Sequence, residues 1–316
     1  MDFFKMIKAP LKKIKHKVYI YKNREKTKSF GHGNPEILYY IIRRDSEYCG
    51  LFSWFITTIG HLRRAELNSY IAVIDMKNYK NPYISKKQLH KINAWEYYFE
   101  QPMGHSLEEA YEGQRVILSD ATIIPDRPGV TLECLYNING ELDMWKQYVD
   151  KYIKIKPDIL SIMTEEWNEY FKSNDKVLGV LCRGTDYVKN KPEGHPKQPS
   201  LDLVINKIYE WLNEYSYNKI FLATEDVGIY EILKKEFDSK LFINKKEFIE
   251  YSDGGINEYV INRCDDNYKR GFEYLTSIWM LSQCNALIAG QCGGSVGAVL
   301  LAPKYERIFF WDLGRY

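Results

Sequence analysis

Val177-Leu178-Gly179-Val180-Leu181-Cys182-Arg183-Gly184-Thr185-Asp186 is the stretch on which the reading of this 316-residue chain turns. Its opening residues are apolar without alternation and end on a polar cluster, the pattern of a short strand buried on both faces. We read residues 177–182 as that strand. The motif recurs downstream. Residues 219–223 form a second strand ending on Thr224-Glu225-Asp226, and residues 286–289 a third ending on Gly290-Gln291-Cys292-Gly293-Gly294-Ser295. Residues 240–244 and 307–311 complete the set. Helical patterns at 201–215, 228–237, 270–283 and 295–301 separate them, the last closed by Pro303. Strands alternating with helices predict a parallel sheet covered on both faces, with ligands bound at its carboxyl edge.

Upstream, Ser173-Asn174-Asp175 marks a boundary. Beyond it a strand at 37–42, the turn Cys49-Gly50-Leu51-Phe52-Ser53, a helix at 54–69 and a strand at 70–75 compose a βαβ unit. Residues 78–145 are aromatic-rich and broken by Pro82, Pro102, Pro125 and Pro128, and little regular order is expected there. Helices follow at 144–155 and 157–171. The predicted architecture is α/β: two Rossmann-like domains, residues 31–172 and 173–316, facing across a cleft, preceded by a distinct segment 1–30.

That first segment holds ten Lys/Arg against two acids, a local charge of +8 beneath a net charge of +2, so the body is mildly acidic. This argues against a nucleic-acid partner, which calls for positive charge on the folded domain. Phe3, Ile7, Leu11, Ile14 and Val18 share one helical face among lysines, with Pro10 between them. The pattern fits residues 1–28 lying on an anionic membrane surface, and also an amphipathic helix packed on the body or a solvated basic tail. No apolar run is long enough to span a bilayer, and no signal peptide is expected. Six scattered cysteines fit reduced cytosolic thiols. The expected location is cytoplasmic, peripheral at the inner face of the membrane. The 45% hydrophobic and 27% charged fractions exclude a disordered chain. The 26 tyrosines suit a carbohydrate-binding surface or simple compositional bias.

The three polar clusters carry the chemistry. Arg183, leaving a buried strand, can present its fork to a phosphate, or pair with Asp186 to steady the loop. Thr224, Glu225 and Asp226 can bind a ribose or base, or cap the next helix. Glycines before Ser295 permit close backbone approach at a helix N-terminus, which attracts anions; Ser295 as N-cap is the plainer alternative. Together they suggest a nucleotide diphosphate. H-E-x-x-H, G-x-S-x-G and P-loop motifs are absent, and no two histidines have metal-ligand spacing. Asp265-Asp266 offers a metal-carboxylate pair, or a solvated turn.

Residues 173–302 resemble the superfamily of α1,2-, α1,6- and protein O-fucosyltransferases. Its first motif, H-x-R-R-x-D, is similar to Leu181-Cys182-Arg183-Gly184-Thr185-Asp186, with leucine for the histidine and glycine for the second arginine. Glu193-Gly194-His195-Pro196 is similar to the acidic residue and His-Pro that follow in α1,6 enzymes. Ala223-Thr224-Glu225-Asp226 resembles A-T-D-D, and the region from Met280 through Ala298 resembles the third motif. Gly50-Leu51-Phe52-Ser53 is faintly similar to the N-terminal G-x-G-N-x loop. The resemblance implies a GT-B, inverting, metal-independent transferase moving L-fucose from GDP-fucose to a hydroxyl of a glycan acceptor, with no cofactor. It implies Arg183 at the leaving diphosphate and Glu193, then His195 and Asp186, as candidate bases. Gly50, Thr224, Glu225, Asp226, Gln291, Gly293, Gly294 and Ser295 would hold the donor. The same scaffold with another nucleotide sugar, and a non-catalytic nucleotide- or glycan-binding module, are the alternatives.

Overall fold

The computed structural model describes residues 17–184, 188, 190–248 and 262–316. Two sheets organise it. The first contains β1 (Lys26–Lys28), β2 (Gly33–Arg43), β3 (Ile71–Asp75) and β4 (Gly113–Leu118) in the order β1-β4-β2-β3. Its β4-β2-β3 part is parallel, and β1 joins antiparallel. The second contains β5 (Val177–Leu181), β6 (Lys219–Ala223), β7 (Leu241–Phe242), β8 (Ala286–Ala289) and β9 (Arg307–Phe310) in the order β7-β6-β5-β8-β9, all parallel. Chain order reverses between β5 and β8, and the switch point opens a crevice at their carboxyl ends.

The strands read as expected where both faces are covered. Leu178 and Val180 point into one apolar cluster with Ile208, Trp211, Leu222 and Ile288. Val177 and Leu181 point into another, as the two-residue period of a strand requires. A side chain at Gly179 would meet Cys284 Sγ and Leu281 Cδ2 at 3.1 Å, so glycine lets a helix press onto the strand.

Helices α1 (Leu51–Leu67), α2 (Glu141–Tyr152), α3 (Pro157–Tyr170), α4 (Leu201–Glu214), α5 (Val227–Phe237), α6 (Asp266–Gln283) and α7 (Gly293–Leu301) cover the sheets. α1 buries Phe52, Phe55, Ile56, Ile59 and Leu62. It meets α7 so closely that a Cβ on Gly297 would lie 2.1 Å from the Phe52 ring. Lys146 of α2 donates to the carbonyls of Leu300 (3.1 Å) and Ala302 (2.8 Å), satisfying the open end of α7. One cluster therefore runs from Tyr40 and Ile42 on the first sheet through Phe52 and Val296 to Leu287 on the second.

Three expectations need correction. β4 lies inside residues 78–145, where little order was expected, and its Gly113-Gln114-Arg115 opening explains why. Lys26–Lys28 does not stand apart with the basic segment but pairs with β4. The helix expected at 270–283 begins one turn earlier, at Asp266, so Asp266 is not in a solvated turn. Of the Phe3–Val18 stripe only Val18 falls among the described residues, where it is exposed. No helix among the described residues is long and apolar enough to cross a membrane.

Candidate functional site

The carboxyl edges of the sheets frame a cleft of about 490 Å³. Arg44, Cys49, Gly50 and Ser53 line it from the first-sheet side. Arg183, His195, Thr224, Glu225, Lys246 and Gly293 line it from the other, with Arg270, Glu273 and Tyr274 of α6 between. Gly50, Arg183, His195, Thr224, Glu225 and Gly293, named from sequence, are thus brought together.

Arg183 does its visible work with Glu225. Its Nε lies 3.0 Å from Glu225 Oε1, which also accepts from the Gly184 N–H at 3.2 Å. Both side chains are mostly covered, at 11% and 17% exposure, so the pair is little screened by solvent. Asp186, the partner weighed from sequence, lies outside the described residues. At Gly184 a Cβ would sit 2.5 Å from Asp226 Oδ2 and 2.7 Å from Ile229 Cδ1. A larger residue there would require Asp226 and Ile229 to shift, which fits the glycine where the resembled motif has a second arginine.

Asp226 takes the capping role. Its Oδ1 accepts from Gly228 N at 2.8 Å and Ile229 N at 3.2 Å, starting α5. Ser295 likewise turns inward. Cys292, not Ser295, is the N-cap of α7; from the third helical position the Ser295 hydroxyl reaches back to it, accepting from Cys292 N and donating to Cys292 O, both at 2.8 Å, while Gly293 faces the cleft. Gly294 is buried, and a Cβ there would meet Tyr274 Oη at 2.8 Å. Gln291 is buried, donating to Trp311 O at 2.8 Å and accepting from Gln198 Nε2 at 3.0 Å. Asp226, Gln291, Gly294 and Ser295 build the wall rather than line it.

Glu193 and His195 separate. Both are exposed, but His195 lines the cleft and Glu193 does not. Their loop is held by the chain's last residues. Gly194 N donates to Tyr316 O, Tyr316 N donates to His195 O, and Arg315 reaches both Gly194 O (2.8 Å) and Val130 O (3.0 Å). Gly194 has φ +75°, so glycine suits this turn.

Lys246 was not anticipated. It follows the two-residue strand β7 in a Lys-Lys pair that reads as solvated. Asn244 anchors the segment: its Nδ2 donates to Glu273 O at 3.0 Å and its Oδ1 accepts from Ser277 at 2.6 Å. Lys246 Nζ then donates to the Thr224 carbonyl. Desolvation pushes its pKa down to about 8, against the attraction of Glu225, Glu273 and Glu166.

The Asp265-Asp266 pair is not assembled for a metal. Asp266 accepts from Arg263 Nε at 2.9 Å and from Arg270, while Asp265 turns away at φ +54°. Among the described residues no group of three or more His, Cys, Asp or Glu is placed to hold a metal ion.

Two α/β sheets, one parallel throughout and one parallel except for its edge strand β1, meet at a carboxyl-edge cleft in a GT-B-like fold. The comparison is with solved structures. NodZ α-1,6-fucosyltransferase soaked with GDP-fucose superposes with a TM-score of 0.53 at 18% identity, covering 88% of this chain and 96% of that one. Fucosyltransferase NodZ from Bradyrhizobium gives 0.53 at 16%, covering 84% and 94%. POFUT1 in its apo form gives 0.52 at 8%, covering 87% and 98%. No family model and no curated protein sequence matches the chain.

Proposed function

We propose that this chain is a fucosyltransferase that takes L-fucose from GDP-fucose and passes it, without a metal, to a hydroxyl of a surface glycan with inversion. The observation that carries the reading is the shared fold over 88% of the chain with a fucosyltransferase solved with GDP-fucose. The position of Arg183 at the switch-point cleft is consistent with it.

In this reading the acceptor oxygen attacks C1 of fucose, the bond from C1 to the β-phosphate oxygen breaks, and the acceptor proton passes to a base. Charge grows on the departing GDP. Arg183 and the amino end of α7 at Gly293 stabilise it more in the transition state than in the ground state. Glu225 fixes the orientation of Arg183, and Thr224 and Glu225 flank the nucleoside. His195, which lines the cleft, is the base we favour; Glu193 and Asp186 are the others on the same loop. The basic segment of residues 1–28 brings the enzyme to an anionic membrane on the cytoplasmic side, where a lipid-linked acceptor is presented.

Calorimetry with GDP, UDP, CMP and dTDP tests the reading. GDP alone should bind tightly. Preference for another nucleotide would keep the scaffold and change the donor. GDP binding without donor-dependent GDP release in the presence of any glycan acceptor would leave a binding module.

A further inference from the structure

We infer that Lys246 is a second cation of the donor site and touches the diphosphate alongside Arg183. The assignment rests on the proposed nucleotide-sugar function and adds to it a residue supplied by a different strand. A diphosphate leaving group carries more charge than one guanidinium neutralises, and Asp226 and Ile229 crowd Gly184, the residue next to Arg183. Of the other cations lining the cleft, Arg44 donates to Ser53 and Thr57 and Arg270 donates to Asp266, so the candidate is Lys246, just past the carboxyl end of β7. Lys246 lines the same cleft as Arg183, Thr224 and Glu225, and its Nζ rests on the carbonyl of Thr224, the residue before the Arg183 partner. Its backbone is placed by Asn244, bound to Glu273 and Ser277 of α6. The lysine is therefore held at the wall, not free in solvent.

The charges around it fit an exchangeable role. Glu225 after β6 faces it but is engaged by Arg183. Glu273 on α6 faces it but is gripped by Arg263, at 2.6 and 3.0 Å. Glu166 on α3 faces it but accepts from the Lys245 N–H. Each of these three carboxylates has another donor, so among the described residues an arriving phosphate meets an ammonium with no dedicated ion pair to break. Burial lowers the Lys246 pKa to about 8. The ammonium is present below that value and is lost as pH rises through it, so its contribution to anion binding should fade on the alkaline side.

Calorimetry with GDP and with guanosine, from pH 7 to 9.5, tests this on the full chain and on the variants Lys246→Met and Lys246→Arg. At pH 7 Lys246→Met should weaken GDP by about tenfold, in the range of one charge-assisted contact, and leave guanosine unchanged. Wild-type affinity for GDP should fall between pH 7.5 and 9 more steeply than that of Lys246→Arg, whose charge persists; the comparison cancels the nucleotide's own titration. Equal loss of guanosine and GDP in Lys246→Met would overturn the phosphate contact, as would wild-type GDP affinity or a pH slope shared with Lys246→Arg. Absence of GDP binding by the wild-type protein would instead overturn the donor reading, and this assignment with it.

Discussion

The central strands of the two sheets both deliver an arginine to their carboxyl edge, and the two arginines do different work. Arg43 ends β2 and is 3% exposed. Its guanidinium donates to Ser119 O at 2.5 Å, Tyr79 Oη at 2.8 Å, Arg24 O at 2.9 Å and Asn23 O at 3.0 Å. It ties the chain before β1 to the sheet, and nothing of it reaches the cleft. Arg183, just past β5, lines the cleft and rests on a carboxylate. Carbonyls and a hydroxyl make a staple, because an incoming anion gains nothing by displacing them in a sealed site. A carboxylate beside a cleft keeps a guanidinium oriented where an anion can share it. The same residue type at the same place in two related sheets is thus structural in one and proposed as chemical in the other.

The sharpest way to break this contrast is to truncate both arginines. Arg183→Ala should lower the rate of transfer in the folded protein by about 10²–10³, the worth of one preorganised donor, a loss beyond what removing the covered Glu225 pair takes from the melting temperature. Arg183→Lys should recover little, since a point charge does not reproduce the fork. Arg43→Met should do the reverse. It strands the buried Ser119 carbonyl at roughly 1–3 kcal/mol and releases the part-buried Tyr79 hydroxyl and Asn23 and Arg24 carbonyls, so the melting temperature should fall by several degrees while the folded fraction keeps its turnover. Turnover near normal in a folded Arg183→Ala protein would end the proposed role of that side chain.

A comparable split is expected within one loop, between His195 in the cleft and Glu193 outside it. Loss of a general base costs about 10²–10⁴ in rate. His195→Gln should fall at the lower end of that range with nucleotide affinity unchanged, and Glu193→Gln should stay within a few fold of wild type. The opposite ranking, read as kcat under saturating donor, would return the base to Glu193.

The contrast also explains what the sequence made legible. Val177–Leu181, Lys219–Ala223 and Ala286–Ala289 are bounded apolar runs because helices cover both their faces, and their ends name the cleft directly. β4 begins with exposed Gln114 and Arg115, and β1 is Lys-Thr-Lys at a sheet edge, so neither carries an apolar signature. In the site, residue type was readable but allocation was not. Asp226 and Ser295 have the chemistry to bind a ligand or to cap a helix, and only tertiary placement shows Asp226 capping α5 and Ser295 reaching back to the N-cap of α7. Lys246 gave no signal because its neighbours across the chain, Thr224 and Glu273, make it part of the cleft.

A smaller effect is expected at the staple's other end. Because Arg43 and β1 hold residues 23–28 to the body, deletion of residues 1–16 should leave the fold and transfer to a soluble acceptor intact. The deleted stretch carries Lys5, Lys8, Lys12, Lys13 and Lys15, each worth about 1 kcal/mol near an anionic surface. Sedimentation with phosphatidylserine vesicles at low salt should therefore drop at least tenfold. Equal sedimentation of the two proteins would remove the membrane from the proposal.

The smallest expected effect is none at all, on chelation, and it follows from sorting acids as the arginines were sorted. Asp266 is a sealed charge: it is 7% exposed and held between Arg263 and Arg270 at the start of α6. Arg263 in turn grips Glu273, and these contacts hold the guanidinium even further above its ordinary pKa. A divalent cation entering here would have to displace permanently charged guanidiniums and then sit beside them, at a repulsion that low exposure leaves poorly screened. Asp266 is therefore a poor metal ligand, and in the proposed reaction the charge on the leaving diphosphate is left to Arg183 and the other cations of the cleft. Transfer measured in excess EDTA should equal transfer in buffer, and added magnesium or manganese should not raise it. A loss on chelation that manganese restores would show that Asp266 can open, and would move Asp265 and Asp266 from the structural class to the chemical one.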